Sequence, residues 1–378
     1  MSNNVIRKYF KFLIIILISF IFGLESFSQT ATAWPNYRGS NILNGITHSK
    51  FETPMKLSWS VKIGDEIKSS PIICENMIYV GSMDGTFYAL DLSGKIVWKY
   101  KAESSIEASP IFIKKTVIIG CSSGKVYAFD YKNGTLKWTY NTDAQVLGAA
   151  NWSTDGNNIQ ILIPCYDFCL HSLSLESGKL NWKCKTDNYL NGSPATDNKI
   201  IVAGGCDSYL HIINAKSGKE TGKVNVGTYI AESPALSDNL AFVGDYDGNF
   251  ICIDISKKTI KWKFTNPKIS PFLSSPAVDN DRVIIGSNDK KVYCFNKQTG
   301  KILWTYQTYG KIDSSPVLFK DKVVICSGDG IIHFISLTKG EKLYTYEVGT
   351  SIKSSPAIID NVLVVAGKDG KIYTFKGK

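Results

Sequence analysis

No two cysteines are adjacent in this 378-residue chain, and none are spaced Cys-x-x-Cys. That removes dithiol redox motifs and paired-knuckle zinc sites. Histidine is scarce, with four residues, so acid–base and metal chemistry have few candidates. No Gly-rich phosphate loop, hydrolase nucleophile elbow or HExxH helix is read. Past the N-terminal apolar run no segment keeps a 3.6-residue apolar period, so the chain is not built of helices. The formal net charge is +10, but the lysines are dispersed and form no block. This is a basic, solvated surface, and no nucleic-acid partner is expected.

What is present begins with a leader. Arg7, Lys8 and Lys11 precede the apolar run Phe12–Gly23, and Ser26 and Ser28 then fit the −3 and −1 positions of a cleavage site. The run is shorter than the ~20 residues a membrane span needs. Residues 1–28 are therefore expected to be a signal peptide, with no membrane span after its removal. The mature chain is expected to be periplasmic or secreted. Nine cysteines is an odd count for such a chain, leaving at least one thiol free or paired between chains. A Cys121–Cys165 or Cys165–Cys169 disulfide is compatible with the spacing.

The remaining sequence repeats. A small–Ser–Pro motif ends at Pro71, Pro110, Pro194, Pro234, Pro276, Pro316 and Pro356, in steps of 39, 84, 40, 42, 40 and 40 residues. The long step hides a degenerate copy at Gly148–Ala150, with an insertion near Thr154–Asn157. A second marker agrees: Trp59, Trp98, Trp138, Trp182, Gly222, Trp262, Trp304 and Tyr344 share one slot, which holds six of the eight tryptophans. Each unit reads as short Val-, Ile-, Tyr- and Trp-rich strands separated by Asp-Gly and Gly turns. Four-stranded units of ~40 residues are propeller blades. The last unit, ending at Lys378, lacks a fourth strand, and an orphan strand stands at Lys56–Val61. The fold expected is all-β: an eight-bladed propeller over 56–378, closed by the N-terminal strand and preceded by a lead-in at 29–55. The Trp slot lies on the outermost strand, where an indole packs against the neighbouring blade.

DGTFYALD followed by GKIVW, with SGKVYAFD and TGKILW, resembles the quinoprotein-type repeat family, and the resemblance covers residues 56–378. WPNYRG, Trp34 to Gly39, is similar to the lead-in of exported propellers of this type. The resemblance implies an eight-bladed propeller and two branches of function. One comprises dehydrogenases that bind pyrroloquinoline quinone and Ca²⁺. The other is non-catalytic and includes the lipoprotein scaffold of the outer-membrane β-barrel assembly machinery. The quinone branch carries a disulfide between adjacent cysteines and inserted loops over its cofactor, and neither is present here. The reading adopted is a non-catalytic scaffold with a protein or peptide partner in the cell envelope. No catalytic, cofactor-binding or metal residues are assigned, and a quinone-dependent dehydrogenase or quinone-binding relic is the alternative.

Individual residues fit that reading. The third-strand slot reads Tyr88, Tyr127, His171, His211, Ile251, Tyr293, His333 and Tyr373, so the histidines stand where other blades have tyrosine. The acidic loop Gly244–Asn249 is read as a hairpin turn, since a Ca²⁺ loop needs a closing Glu. The residue three before each Pro slot should ring the channel. Around the ring these are Lys68, Glu107, Leu147, Asn191, Ala231, Leu273, Asp313 and Lys353. Lys68, Glu107, Asp313 and Lys353 form a charged arc, expected as two neighbouring ion pairs and as the candidate partner-binding rim.

Overall fold

The structure is a computed structural model that describes residues 33–378. The expected signal peptide and its cleavage site lie outside the described residues. Among these, strands β1 to β32 form eight four-stranded antiparallel sheets. Blade 1 runs Ile72–Cys74 (β2), Met77–Gly81 (β3), Thr86–Asp91 (β4) and Ile96–Lys101 (β5), and each later blade repeats that order. The last blade takes Ala357–Ile359 (β30), Val362–Ala366 (β31) and Lys371–Gly377 (β32), then Met55–Lys62 (β1) as its outermost strand. The expected closure is therefore the observed one, and it leaves β32 with no open edge. No helix of the described residues is long and apolar enough to cross a membrane.

The core lies between blades. Phe87 and Trp98 of blade 1, for example, meet Phe129 of blade 2 at ring-centroid distances of 5.9 and 5.7 Å. The Trp slot clamps these layers. Trp98 Nε1 donates to the Tyr131 carbonyl at 2.9 Å, and its ring covers Gly134, whose φ of +72° and lack of a side chain admit the indole. A Cβ on Gly134 would stand 2.7 Å from that ring. Both exceptions in the slot have physical reasons. Gly222 faces Lys258 instead of a glycine, so the large and small residues have changed sides. Tyr344 faces the closure, where no hairpin follows, and its hydroxyl donates to the Met55 carbonyl at 3.3 Å.

The lead-in is not a simple tether. It runs round the inner strands and bonds the blades in sequence order. Trp34 exchanges backbone bonds with Ile73 of blade 1, and the Pro35 carbonyl accepts from Phe112 of blade 2. Asn36 and Asn41 reach Asn151 and Trp152 of blade 3. The carbonyls of Asn41, Ile42, Asn44 and Gly45 then accept from Thr196, Leu236, Val278 and Leu318 of blades 4 to 7. Thr47 Oγ1 donates to Ile358 of blade 8 at 3.3 Å. The backbone partner in every blade sits two residues after its Pro slot. Between Asn36 and Asn41 the chain turns across the axis, with Gly39 tight against the Trp34 ring.

Candidate functional site

The Ser-Ser-Pro motif builds the channel wall. The first serine staples its own blade: Ser274 Oγ lies 2.9 Å from the Gly286 amide, and Ser354 Oγ lies 3.0 Å from the Ala366 amide. The second serine links blades. Its hydroxyl accepts from the preceding blade's backbone amide at Ser70→Ser109, Ser193→Ser233, Ser275→Ser315, Ser315→Ser355 and, across the closure, Ser355→Ser70, at 2.8–3.0 Å. Paired in this way, the inner strands start in one register around the ring.

Tyr37 and Arg38 close the floor of this wall. The Tyr37 hydroxyl shares hydrogen bonds with Ser275 and Ser315 at 3.1 and 2.9 Å, and burial raises its pKa. Arg38 Nη2 donates to the Pro276 and Pro316 carbonyls at 3.2 and 2.5 Å. Burial lowers the guanidinium to about 10. Arg38 Nε and Nη1 are buried with no protein partner among the described residues. Above them is a cavity of about 120 Å³ lined by Lys68, Glu107, Asn191, Glu232, Asp313 and Lys353 beside the serines.

All four rim residues read from the sequence thus converge on one cavity, but their pairing differs from expectation. Lys68 Nζ meets Glu107 Oε2 at 2.9 Å. Asp313 and Lys353 form no ion pair among the described residues. The field of Asp313 falls instead on Glu232, a residue the sequence reading passed over. Burial and then Asp313 raise the Glu232 carboxyl to about 8, against the opposing pull of the Ser233 amide and Arg38. A half-buried carboxyl beside a second carboxylate is held protonated near neutrality. The signal for Glu232 was present in the sequence. It is the one charged residue in a slot otherwise filled by Ser, Ala and Gly.

The opposite arc of the mouth is aromatic. Tyr166 stacks on Tyr189 at 4.7 Å, and Phe168 tilts against Tyr189 at 5.1 Å. Tyr189, Tyr229 and Tyr246 are exposed. Backbone bonds pair the linker entering a blade with that blade's second turn, Cys206 to Tyr189 and Tyr246 to Tyr229, so these rings share one face. Burial raises the Tyr166 pKa to about 12, and the charges of Glu107 and Glu232 add to that shift.

The remaining candidates resolve into structure. Four of the Tyr and His residues in the third-strand slot reach the acidic residue four positions before them in the turn. Tyr373 donates to Asp369 at 2.6 Å and Tyr293 to Asp289 at 2.5 Å, while His211 Nε2 lies 2.7 Å from Asp207 and His171 Nε2 2.9 Å from Asp167. His333 bonds Ser327 instead, and burial lowers its pKa to about 4. The loop at Asp245 is a hairpin whose carboxylate accepts from the Asn249 amide at 2.7 Å. One stretch was missed: Gly120–Gly124 reads Gly-Cys-Ser-Ser-Gly, the spacing of a nucleophile elbow. It is a strand–strand hairpin, and Ser122 bonds Ser105 at 2.9 Å with no histidine beside it. All nine cysteines are free, so neither disulfide considered above is formed. A larger groove of about 790 Å³ lies on the outer side, at the insertion in blade 3, between Lys137, Asp155, Trp182 and Lys216.

The cavity does not fit a pyrroloquinoline quinone. Its ~120 Å³ lies below the ~300–1,000 Å³ of typical organic-ligand pockets, and Tyr37 and Arg38 close its floor.

Among solved structures the chain is similar to BamB from Moraxella catarrhalis, at 19% identity and a TM-score of 0.70, covering 85% of this chain and 99% of that one. It is similar to the computationally designed Ika8 protein, at 18% identity and a TM-score of 0.70, covering 83% and 99%. It also matches a europium-containing methanol dehydrogenase, at 10% identity and a TM-score of 0.73, covering 92% and 98%. These likenesses establish the fold. No curated protein matches the chain. The family model described as outer membrane protein assembly factor BamB matches residues 53–159, 167–275 and 265–378, which together span nearly the whole propeller. The chain therefore belongs to that family of quinoprotein-type repeat propellers.

Proposed function

We propose that this protein is an exported, non-catalytic propeller that docks a protein or peptide partner in the cell envelope. The docking surface is the channel mouth. The observation that carries this reading is the two-part character of one rigid rim. Lys68, Glu107, Asp313 and Lys353 crown a small polar cavity on one arc, and exposed tyrosines occupy the facing arc. Tyrosine supplies large contact area at low entropic cost, and Lys353, without an ion-pair partner among the described residues, supplies charge recognition. Family membership and the basic–apolar leader support the envelope setting, periplasmic or secreted, and no cofactor enters the reading. The test is charge reversal of Lys68 and Lys353 together, with partner capture read by crosslinking in the envelope. Loss of capture with an unchanged melting temperature is expected, and undiminished capture sinks the proposal.

A further inference from the structure

We propose that blade 3 carries a divalent transition-metal site of the zinc class, formed by Cys165, Asp167 and His171. The three supply a thiol sulfur, a carboxylate oxygen and a ring nitrogen that all lie within 4.8 Å of one another. They come from one hairpin, between Asn158–Pro164 (β11) and Cys169–Ser174 (β12), so local geometry alone brings them together. One thiolate, one imidazole and one carboxylate are a borderline-soft donor set, suited to Zn²⁺ with water in the fourth position.

The ring is already oriented. His171 Nδ1 lies 3.1 Å from the Tyr140 hydroxyl, which leaves Nε2 directed at Asp167 at 2.9 Å. A polar partner on the distal nitrogen is the usual support for a metal-bound histidine. Binding has a simple balance. The metal takes the place of the Cys165 thiol proton, which is released. The His171 ring stays neutral, its proton held on Nδ1 in place of Nε2, from where it donates a hydrogen bond to the Tyr140 hydroxyl oxygen.

The repeat shows why this blade differs. The Cys165 slot holds Ser82, Ser287 and Ser327 in blades 1, 6 and 7, and the His171 slot holds Tyr88, Tyr127, Tyr293 and Tyr373 in blades 1, 2, 6 and 8. The turn-to-strand hydrogen bond is common property, as in Tyr293 to Asp289. Among the described residues, blade 3 is where a thiol, a carboxylate and an imidazole come within 4.8 Å of one another; blade 4 has Cys206, Asp207 and His211, but its thiol stands one position later in the turn. The site shares its turn with Tyr166 and Phe168 of the aromatic arc, but none of its three donors takes part in the docking reading, so the two can fail separately.

The repeat also supplies substitutions that remove the donors while keeping the fold. Cys165→Ser and His171→Tyr each install what other blades use at that position. The experiment titrates chelator-treated full-length protein with Zn²⁺ and with Co²⁺. Expected are one equivalent bound, a thiolate-to-cobalt absorption band, and a rise in melting temperature that a chelator reverses. Each variant should keep its melting temperature without metal, lose the band and bind about tenfold or more weakly. Two results overturn the proposal: no stoichiometric binding by the parent protein, or binding equal in both variants, which would place the ion on other cysteines.

Discussion

The exchange of sizes at Gly222 and Lys258 can be tested by reversing it. Gly222→Trp alone puts an indole where a Cβ would already stand 2.7 Å from Lys258 Cδ. Overpacking of that kind costs about 1–3 kcal/mol. Lys258→Gly alone removes the Nζ bond to the Thr221 carbonyl and relieves a φ of 57°, so its net effect is within about 1 kcal/mol. Together they recreate the clamp seen at Trp98 and Gly134, with the Ile255 carbonyl in the position of the acceptor. An indole buries roughly 150–250 Å². At about 25 cal/mol per Å², half of that area gives about 2 kcal/mol in favour of the double variant. Denaturant unfolding of the parent, both single variants and the double variant closes the cycle. A coupling of at least about 2 kcal/mol is expected. Effects that add within about 0.5 kcal/mol would refute the account of the slot.

Three further outcomes follow from the channel and the closure. Because Glu232 titrates near 8 in the fold but near 4.5 in the unfolded chain, the fold holds the extra proton between those values. Stability should then fall as pH rises across that window, and Glu232→Gln should flatten the dependence of the unfolding midpoint on pH. Tyr37→Phe strips two buried serines of their shared partner and should cost about 1–3 kcal/mol in denaturant unfolding. Titration with pyrroloquinoline quinone and Ca²⁺ should change neither absorbance nor melting temperature, because the cavity is too small.

Repeats and closure were legible because they rest on periodic signals: Ser-Pro spacing, the Trp slot and the missing fourth strand of the last unit. The substitution of tyrosine by histidine was legible for the same reason, since the two share one slot and one acceptor. The lead-in was not. Its bonds are made by backbone groups in irregular conformation, and WPNYRG marks a motif without revealing that it crosses the axis. The four rim residues line one cavity, but Asp313 and Lys353 form no ion pair among the described residues, because adjacency in a ring does not fix where long side chains point. Glu232 is hidden in the sequence because it stands one residue after the rim slot, in a position that the other blades give to Ser, Ala or Gly.

A chain of near-identical units is exposed to gaining or losing one by recombination between copies. The lead-in acts against that. Its few residues offer hydrogen-bonding groups to each inner strand in turn, and the last of them reaches blade 8 just before β1 begins. A ring with one unit fewer would leave part of this segment unpaired in the channel, and a ring with one more would leave an inner strand without its partner, each buried orphan group costing about 1–3 kcal/mol. The segment is a gauge of blade number, written once at the start of the chain and checked against every blade that follows.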